Sequence, residues 1–495
     1  MNNWVRFNLH EPGMGMYHRA GLAGLTASLI MMKKKRLLPA NIDFDEADYD
    51  EQGCTIRGLE PTANSLHALL QSAYKLNDDG LFDFPVLDTW NDYQKSELQK
   101  HYLGSFLQHP SARKAEKNQR VVSIPFDEET VELSFLPIRD FRHRFLEICE
   151  IIEEAVTNQK NIELAGWAMP GGVVRHNALN KETALSETPK KYFLLLFAPL
   201  GCLYFQGMSY LLTGEWDKRT QTIVVVPRPK KLSSFADALV SYYEEVGENR
   251  DGLALVRAAG ITDAAFRAAI LLQLKKQGVL SRLSCELTAI RFGTVGWSQQ
   301  QKTRTGVFTS TVVTEDMIHI YREVLSNLQR KIRASYYEES PFVGQIADNL
   351  VANKEWYHGI SAYMQDERRK KLNYWRKGMN NLVQSEKMWK EPIRKAFVEM
   401  IHSSIRIRYG KVSESGMFER EYERMRQTFV NCRTQAKFRE TLMDFVTRSR
   451  PHLKSENPYT VNELLLFACK ADWREGKDLC LLALASYQKE ESEKN

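Results

Sequence analysis

The sequence predicts an α+β protein in two parts: a mixed α/β N-terminal region, residues 1–312, followed by a C-terminal all-α helical bundle, residues 313–495. Three observations carry this reading. Short β-rich runs alternate with helical periods up to about residue 312, and from Thr314 onward the apolar period becomes almost wholly helical. At 495 residues, with 43% hydrophobic and 11% aromatic content, the chain is long and apolar enough for two or three domains with large cores.

The elements follow in order. "WVRFNL" running into "EPGMGMYHRAGLAGL" at 11–25 reads as a strand, a glycine-rich turn and a helix. A Walker loop would need Lys and then Ser/Thr to close the glycines, whereas Gly24 is followed by Leu25 and Thr26. A dinucleotide fingerprint would need a third glycine where His18 stands. What survives is a turn that brings His18 and Arg19 to the mouth of a helix, with Gly21 and Gly24 letting that helix pack tightly against a neighbour. The plainer alternative is packing alone, with Arg19 solvated. "DFDEADYDE" at 43–51 reads as a solvated acidic loop, without the glycine-containing spacing of a calcium loop.

"QRVVSIPF" and "VELSFLPI" form a hairpin pattern, and "TQTIVVVPRP" a buried or half-buried strand ending at proline. The longest apolar run, "YFLLLFAPLGCLYF" at 192–205, is too short for a bilayer and is broken by Pro199 and Gly201, so it is expected to be a buried strand pair or a strand and turn. Residues 263–278 have helical spacing, Asp263 as the expected N-cap and Gly278 as the stop. "CELTAIRFGTVGW" reads as a strand, and four amphipathic helices are legible in the last third.

Seven scattered cysteines never approach Cys-x-x-Cys spacing and suit reduced, buried thiols. With no signal-peptide pattern and no apolar run long enough to span a bilayer, a cytoplasmic protein with no membrane association is expected. Nucleophile elbows, His-Glu-x-x-His motifs and metal-ligand clusters are absent, and no two of the eleven histidines lie within four residues of each other. No catalytic residue, metal site or cofactor is therefore assigned.

The charge is informative by position. The chain is only +6, yet residues 353–411 hold 14 Lys/Arg against 6 Asp/Glu, a surplus of 8. Arg368, Arg369, Lys370, Lys371 and Arg376 alternate with Tyr374 and Trp375, and Arg406 and Arg408 precede Tyr409. Cations can neutralise phosphates while aromatic faces stack on unpaired bases, so the mixture suits a nucleic-acid surface; the plainer reading is a solvated helix. In "AGWAMPGGVVRHNALNK" a Pro-Gly-Gly turn presents Arg175, His176, Asn177 and Lys181, which could donate to phosphates or base edges or serve the fold. In "FGTVGWSQQQKTRTG", expected to be a loop after a strand, Trp297 offers a stacking face, Gln299, Gln300 and Gln301 offer amides, and Lys302 and Arg304 offer cations; a polar surface hairpin is the alternative.

"GMYHRAGLAGL", "PGGVVRH", "FLLLFAPLGCLYF" and "FGTVGWSQQQKTRT", in this order, resemble the large subunit of type I CRISPR surveillance complexes (Cascade), in the MYXAN-subtype branch. The likeness is spread over about the first 310 residues, and the helical last third resembles the Cascade small subunit in architecture. It implies a non-catalytic protein that recognises the protospacer-adjacent motif in double-stranded DNA, helps open the duplex and stabilises the R-loop. The partners it implies are crRNA, the target DNA with its displaced single strand, the other Cascade subunits, and a recruited helicase-nuclease or, in transposon-borne relatives, a transposition adaptor. Tyr17, His18 and Arg19 would then face nucleic acid or a neighbouring subunit. Two alternatives stay open: a metal-dependent nuclease using His176 and scattered carboxylates, and a general RNA-binding structural subunit.

Overall fold

The computed structural model describes residues 6–488 apart from 109–112, 127–128, 141, 165, 171–184, 208–220, 249–256, 273–284, 296–297, 311–313, 334–335, 366–371, 411–414 and 471. The chain divides into two compact units: Met1–Tyr210, Trp216–Glu315 and Arg333–Tyr336 in the first; Leu211–Glu215, Asp316–Ile332 and Tyr337–Asn495 in the second.

In the first unit, strand β1 (Arg6–Asn8) buries Phe7 and pairs antiparallel with β2 (Gly53–Thr55), Phe7 standing opposite Cys54. The chain then turns through Gly13, whose φ of +85° is a glycine conformation, and enters helix α1 (Met16–Lys34). This helix is apolar nearly all round, from Ala20 to Met32, and packs against the Gln221–Pro229 strand, the Pro189–Leu196 and Leu232–Glu248 helices and the Ala198–Gly201 turn. Its two interior hydroxyls are satisfied within the helix, Thr26 Oγ1 donating to the Leu22 carbonyl and Ser28 Oγ to that of Gly24. Lys33 and Lys34 in its last turn complement the carbonyl end of the dipole.

Close packing depends on the glycines, as the sequence predicts. A Cβ on Gly21 would lie 2.0 Å from the Leu194 carbonyl oxygen, one on Gly24 2.5 Å from that of Phe197, and one on Gly201 1.8 Å from that of Ala20. Backbone therefore meets backbone where α1 crosses the apolar run.

That run differs from its expected form. It is a helix, then a 3₁₀ turn (Ala198–Gly201), then a strand. The cause is at its edges: Thr188 is the extended N-cap and Pro189 takes the first helical position, where no N–H is needed. A run buried on every side has no periodicity by which to tell helix from strand. Pro199 interrupts the helical ladder, and buried tyrosines supply donors to the carbonyls around the break. Tyr74 Oη donates to Leu196 (2.6 Å), Tyr204 Oη to Pro199 (2.8 Å) and Tyr243 Oη to Leu200 (2.9 Å).

The other α-helices of this unit among the described residues are α2 (Ala63–Ala73), α3 (Asp92–Leu103), α4 (Arg142–Thr157), α5 (Pro189–Leu196, the helix of the run), α6 (Leu232–Glu248) and α7 (Ile261–Leu271). The expected hairpin is present as β3 (Arg120–Phe126) and β4 (Glu129–Phe135). The main sheet joins β5 (Leu203–Gly207), β6 (Gln221–Pro229), β7 (Arg257–Ala258), β8 (Cys285–Val295) and β9 (Ser298–Ser310) in the order β7-β5-β6-β8-β9, antiparallel except where β7 meets β5. Asp263 is not the N-cap of α7; Gly260 is. Asp263 lies in the first turn, fully buried, where it accepts from the Ala259 N–H and from Arg267 Nε, each at 2.6 Å. The acidic loop is pinned rather than simply solvated: Arg57 pairs with Asp43, Asp45 and Asp48, and Lys33 with Asp45.

Helix α8 (Glu315–Leu328) belongs to the second unit from Asp316 on, and after it a two-stranded hairpin, β10 (Gln329–Arg333) with β11 (Tyr336–Glu339), divided between the two units, interrupts the expected helical run. The helical period does end at Leu328, and the β-branched and aromatic residues beyond it suit strands. Helices α9 (Val343–Val351), α10 (Arg376–Gln384), α11 (Pro392–Gly410), α12 (Ser415–Val430), α13 (Gln435–Ser449), α14 (Val461–Lys470) and α15 (Trp473–Ser486) follow. Helix α15 is the core, buried from Gly476 to Ser486, with α10 to α14 packed around it. Its Asp478 accepts from the Gly359 and Ser361 N–H groups at 2.8 and 3.1 Å.

All seven cysteines are free thiols, and no helix of the described residues is long and apolar enough to cross a membrane.

Candidate nucleic-acid interface

The mouth of α1 spends its polar groups on the fold. Gly15, the N-cap, has no side chain, and its N–H is taken by Nδ1 of His18 at 3.2 Å; the imidazole fills the place a glutamate has in a capping box. The ring is 9% exposed, and Nε2 lies 3.2 Å from the Glu187 carboxylate. Burial, opposed by Glu187, lowers its pKa. Tyr17 is half-buried with Phe106 edge-on at 6.0 Å. Arg19, also half-buried, reaches the Pro229 carbonyl at 3.5 Å, and burial and then Arg228 lower its pKa.

Arg175, His176, Asn177, Lys181, Trp297, Arg368, Arg369, Lys370 and Lys371 lie outside the described residues. The glutamine segment, expected to be a loop, falls inside strand β9. Its pairing is irregular there. Val295 stands opposite Ser298 and Thr294 opposite Lys302, so Gln299, Gln300 and Gln301 face no residue of β8, while the ladder resumes at Lys302 and carries Arg304 opposite Phe292. A bulge thus sets three amide-bearing residues outside the ladder at the end of a two-stranded ribbon, with two cations next to them.

In the second unit Arg376 and Arg406, 30 residues apart, meet in a cleft of about 960 Å³ formed by α10, α11, α12, Lys454 and the end of α15. Lys377 and Lys454 join them, so four cations face two carboxylates, Glu399 and Glu419. Aromatic rings supply much of the remaining wall. Tyr409 lies 5.5 Å from Phe418 and 5.4 Å from Tyr487, and the Arg376 guanidinium sits 5.0 Å over the Tyr422 ring. His402 Nε2 is 3.0 Å from both the Ala483 carbonyl and Ser486 Oγ. Burial pushes its pKa down to about 4, helped by Arg406 and Lys454 and opposed by Ala483, so the ring is neutral at neutral pH.

Arg408 is placed elsewhere: it pairs with Glu421 at 3.2 Å and covers Phe445 at 4.5 Å. Trp375 is core, stacked under Arg330 at 5.1 Å, whereas Tyr374 is 69% exposed. Sequence reasoning missed Lys377, His402, Lys454 and Tyr487. A signal was available for one of them: Glu399, His402, Ser403, Arg406 and Tyr409 recur at three- and four-residue steps, one polar face of α11. Lys454 and Tyr487 reach the cleft only through tertiary packing.

Among the described residues no group of three or more His, Cys, Asp or Glu is placed to hold a metal ion. The residue types brought together are cations, amides and aromatic rings.

Residues 6–196 match the model of the DevT N-terminal domain and residues 384–495 that of the DevT C-terminal domain. The chain is also 24% identical to the CRISPR-associated protein Cas8a1/Csx13 of Myxococcus xanthus (strain DK1622), over an alignment that spans 98% of this chain and 88% of that protein. Two domain models in the same order and an end-to-end relative agree, and the chain belongs to the Cas8-like large-subunit family, in its MYXAN branch.

Proposed function

We propose that this chain is the non-catalytic large subunit of a crRNA-guided DNA-targeting complex. In it, the chain recognises the short motif flanking the target, aids duplex opening, stabilises the R-loop and docks a recruited helicase-nuclease or transposition adaptor beside the other Cascade subunits. The family supports the setting, and one observation carries the reading of DNA: the bulge that sets Gln299, Gln300 and Gln301 outside the β8–β9 ladder, next to Lys302 and Arg304.

Each glutamine amide carries both a donor and an acceptor, the pair that an adenine edge presents in the major groove. A two-stranded ribbon is narrow enough to enter that groove. Lys302 and Arg304 supply the phosphate contacts that hold such a ribbon in register. Arg175, His176 and Lys181 are proposed to face the same nucleic acid.

The test is binding of the reconstituted crRNA complex, with and without this chain, to duplex targets with randomised flanking bases at stated salt. The chain is expected to create a preference for a short flank, and replacing Gln299–Gln301 by Ala to relax that preference by about tenfold, near the 1–3 kcal/mol of one good base contact. Affinity that rises equally for every flank would show a phosphate-binding scaffold instead. Mg²⁺- or Zn²⁺-dependent cleavage by the isolated chain would overturn the non-catalytic assignment.

A further inference from the structure

We infer that the cleft between α10, α11 and α12 is a site for one unpaired nucleotide of a single-stranded nucleic acid, its base set among the Tyr409, Phe418 and Tyr487 rings and its flanking phosphates on Arg406, Lys454 and Lys377. The proposal rests on the function above only for what supplies the strand. The site itself is argued from the cleft.

Size is the first argument. About 960 Å³ is at the top of the range of small-molecule pockets, room for a base, a sugar and the phosphates on both sides. Charge is the second. Lys377 and Lys454 are exposed, and among the described residues no carboxylate forms an ion pair with either. Arg376 joins them in the lining with its guanidinium over the Tyr422 ring, and its Nε is buried with no hydrogen-bond acceptor among the described residues. These donors suit an anion, while Glu399 and Glu419 in the same lining make a polyphosphate a poor fit. Carboxylates instead suit the amino groups of a base.

The aromatic walls are the third argument. Base–aromatic stacking needs a ring face and tolerates any base. Tyr409, Phe418 and Tyr487 meet at centroid distances near 5.5 Å, tilted from one another, so they form an angled wall rather than a closed stack. The imidazole of His402 donates through Nε2 to the Ala483 carbonyl, which leaves Nδ1 as an acceptor and adds no positive charge. A cleft whose lining combines cations, aromatic rings and neutral or acidic acceptors matches a nucleotide held at both phosphate and base.

The test uses the full chain and two fluorescent probes of about twelve nucleotides, oligothymidylate and oligouridylate, with anisotropy read across a salt series. The double variant Arg406→Glu/Lys454→Glu is expected to weaken binding by about tenfold or more. Its log–log salt slope should fall by about 1.4, or about 0.7 for each phosphate that is no longer neutralised. Tyr487→Ala should weaken binding by about fivefold or more without changing that slope. A 5-iodouracil placed in the probe should crosslink to Tyr409 or Tyr487. Tighter binding of the DNA probe assigns the strand to displaced DNA, and tighter binding of the RNA probe assigns it to the guide.

Variants that keep the wild-type melting temperature and bind as wild type overturn the site, as do crosslinks confined to peptides outside α10–α12 and the end of α15. The flank-preference assay keeps the two readings apart. A flank preference that persists while the cleft variants bind oligonucleotide normally removes only this inference; cleft-dependent oligonucleotide binding without any flank preference removes only the motif-reading function.

Discussion

Helix α1 of the first unit and helix α11 of the second carry the same kinds of residue and use them in opposite ways. In α1, His18 is turned inward onto the Gly15 N–H and Glu187, Arg19 is half-buried against the Pro229 carbonyl, and the glycines bring the backbone against its neighbour. In α11, Phe397, Met400, Ile401 and Ile405 fill the core while Glu399, His402, Arg406 and Tyr409 line a cleft. A helix covered on all sides must satisfy its polar groups internally. One with a single apolar stripe keeps a face for a ligand. Basic and aromatic content alone therefore does not mark a binding surface; the share of the helix already covered does.

The contrast is broken most directly at a glycine. Gly201→Ala places a methyl 1.8 Å from the Ala20 carbonyl oxygen, a backbone atom that no rotamer change can move. Overpacking a well-filled core costs about 1–3 kcal/mol and sometimes more, and a clash with backbone belongs at the upper end, so about 3 kcal/mol or more is expected here. Thermal unfolding should show a first transition lowered by several degrees. A change within about 0.5 kcal/mol would mean that α1 can shift away, and its burial would no longer explain the fate of His18.

The next effect belongs to the cleft helix and depends on pH. The folded-state pKa of His402 is about 4, below the ordinary imidazole value of 6.5. As the pH falls from 6.5 to 4 the unfolded chain takes up a proton that the folded chain refuses, so stability drops across that window and levels off below it. At about 1.4 kcal/mol per pH unit the loss is about 3 kcal/mol at most. His402→Gln removes the titration and keeps a donor for the Ala483 carbonyl. Wild type should lose stability more steeply than the variant between pH 6.5 and pH 4 in a series of denaturant midpoints; parallel profiles would sink the assignment of a buried neutral ring.

Legibility in the sequence follows the same division. The β3–β4 hairpin and the amphipathic helices are readable because each presents one face to water and so carries a period, whereas strand β6, buried along nearly its whole length, is readable from its run of β-branched residues ending at proline. Helix α5 is not, because Tyr192–Leu196 is buried on every side and only Thr188 and Pro189 at its edge mark a helix start. Asp263 misleads because an acidic residue in a first turn resembles a cap; three residues beyond Gly260, it instead holds Arg267. Half of the cleft is legible, in Arg376 and Arg406. Lys454 and Tyr487 are not, since they arrive from a loop and a helix end that no local spacing connects to α11.

The smallest effects separate two tyrosines around the broken apolar run. The Leu196 carbonyl receives Tyr74 Oη at 2.6 Å and also Trp167 Nε1 at 3.2 Å, whereas the Leu200 carbonyl receives Tyr243 Oη at 2.9 Å. Removing one hydroxyl deletes a hydrogen bond in both cases, but it strands a buried carbonyl only where no second donor remains. Tyr243→Phe should therefore cost about 1–2 kcal/mol and Tyr74→Phe about 1 kcal/mol or less, since an unmade buried bond costs more than a shared one. Denaturant unfolding of the two variants side by side measures the difference. Equal costs would show that the second donor at Leu196 contributes nothing, and that the tyrosines fill space around the Pro199 break instead of completing its hydrogen bonds.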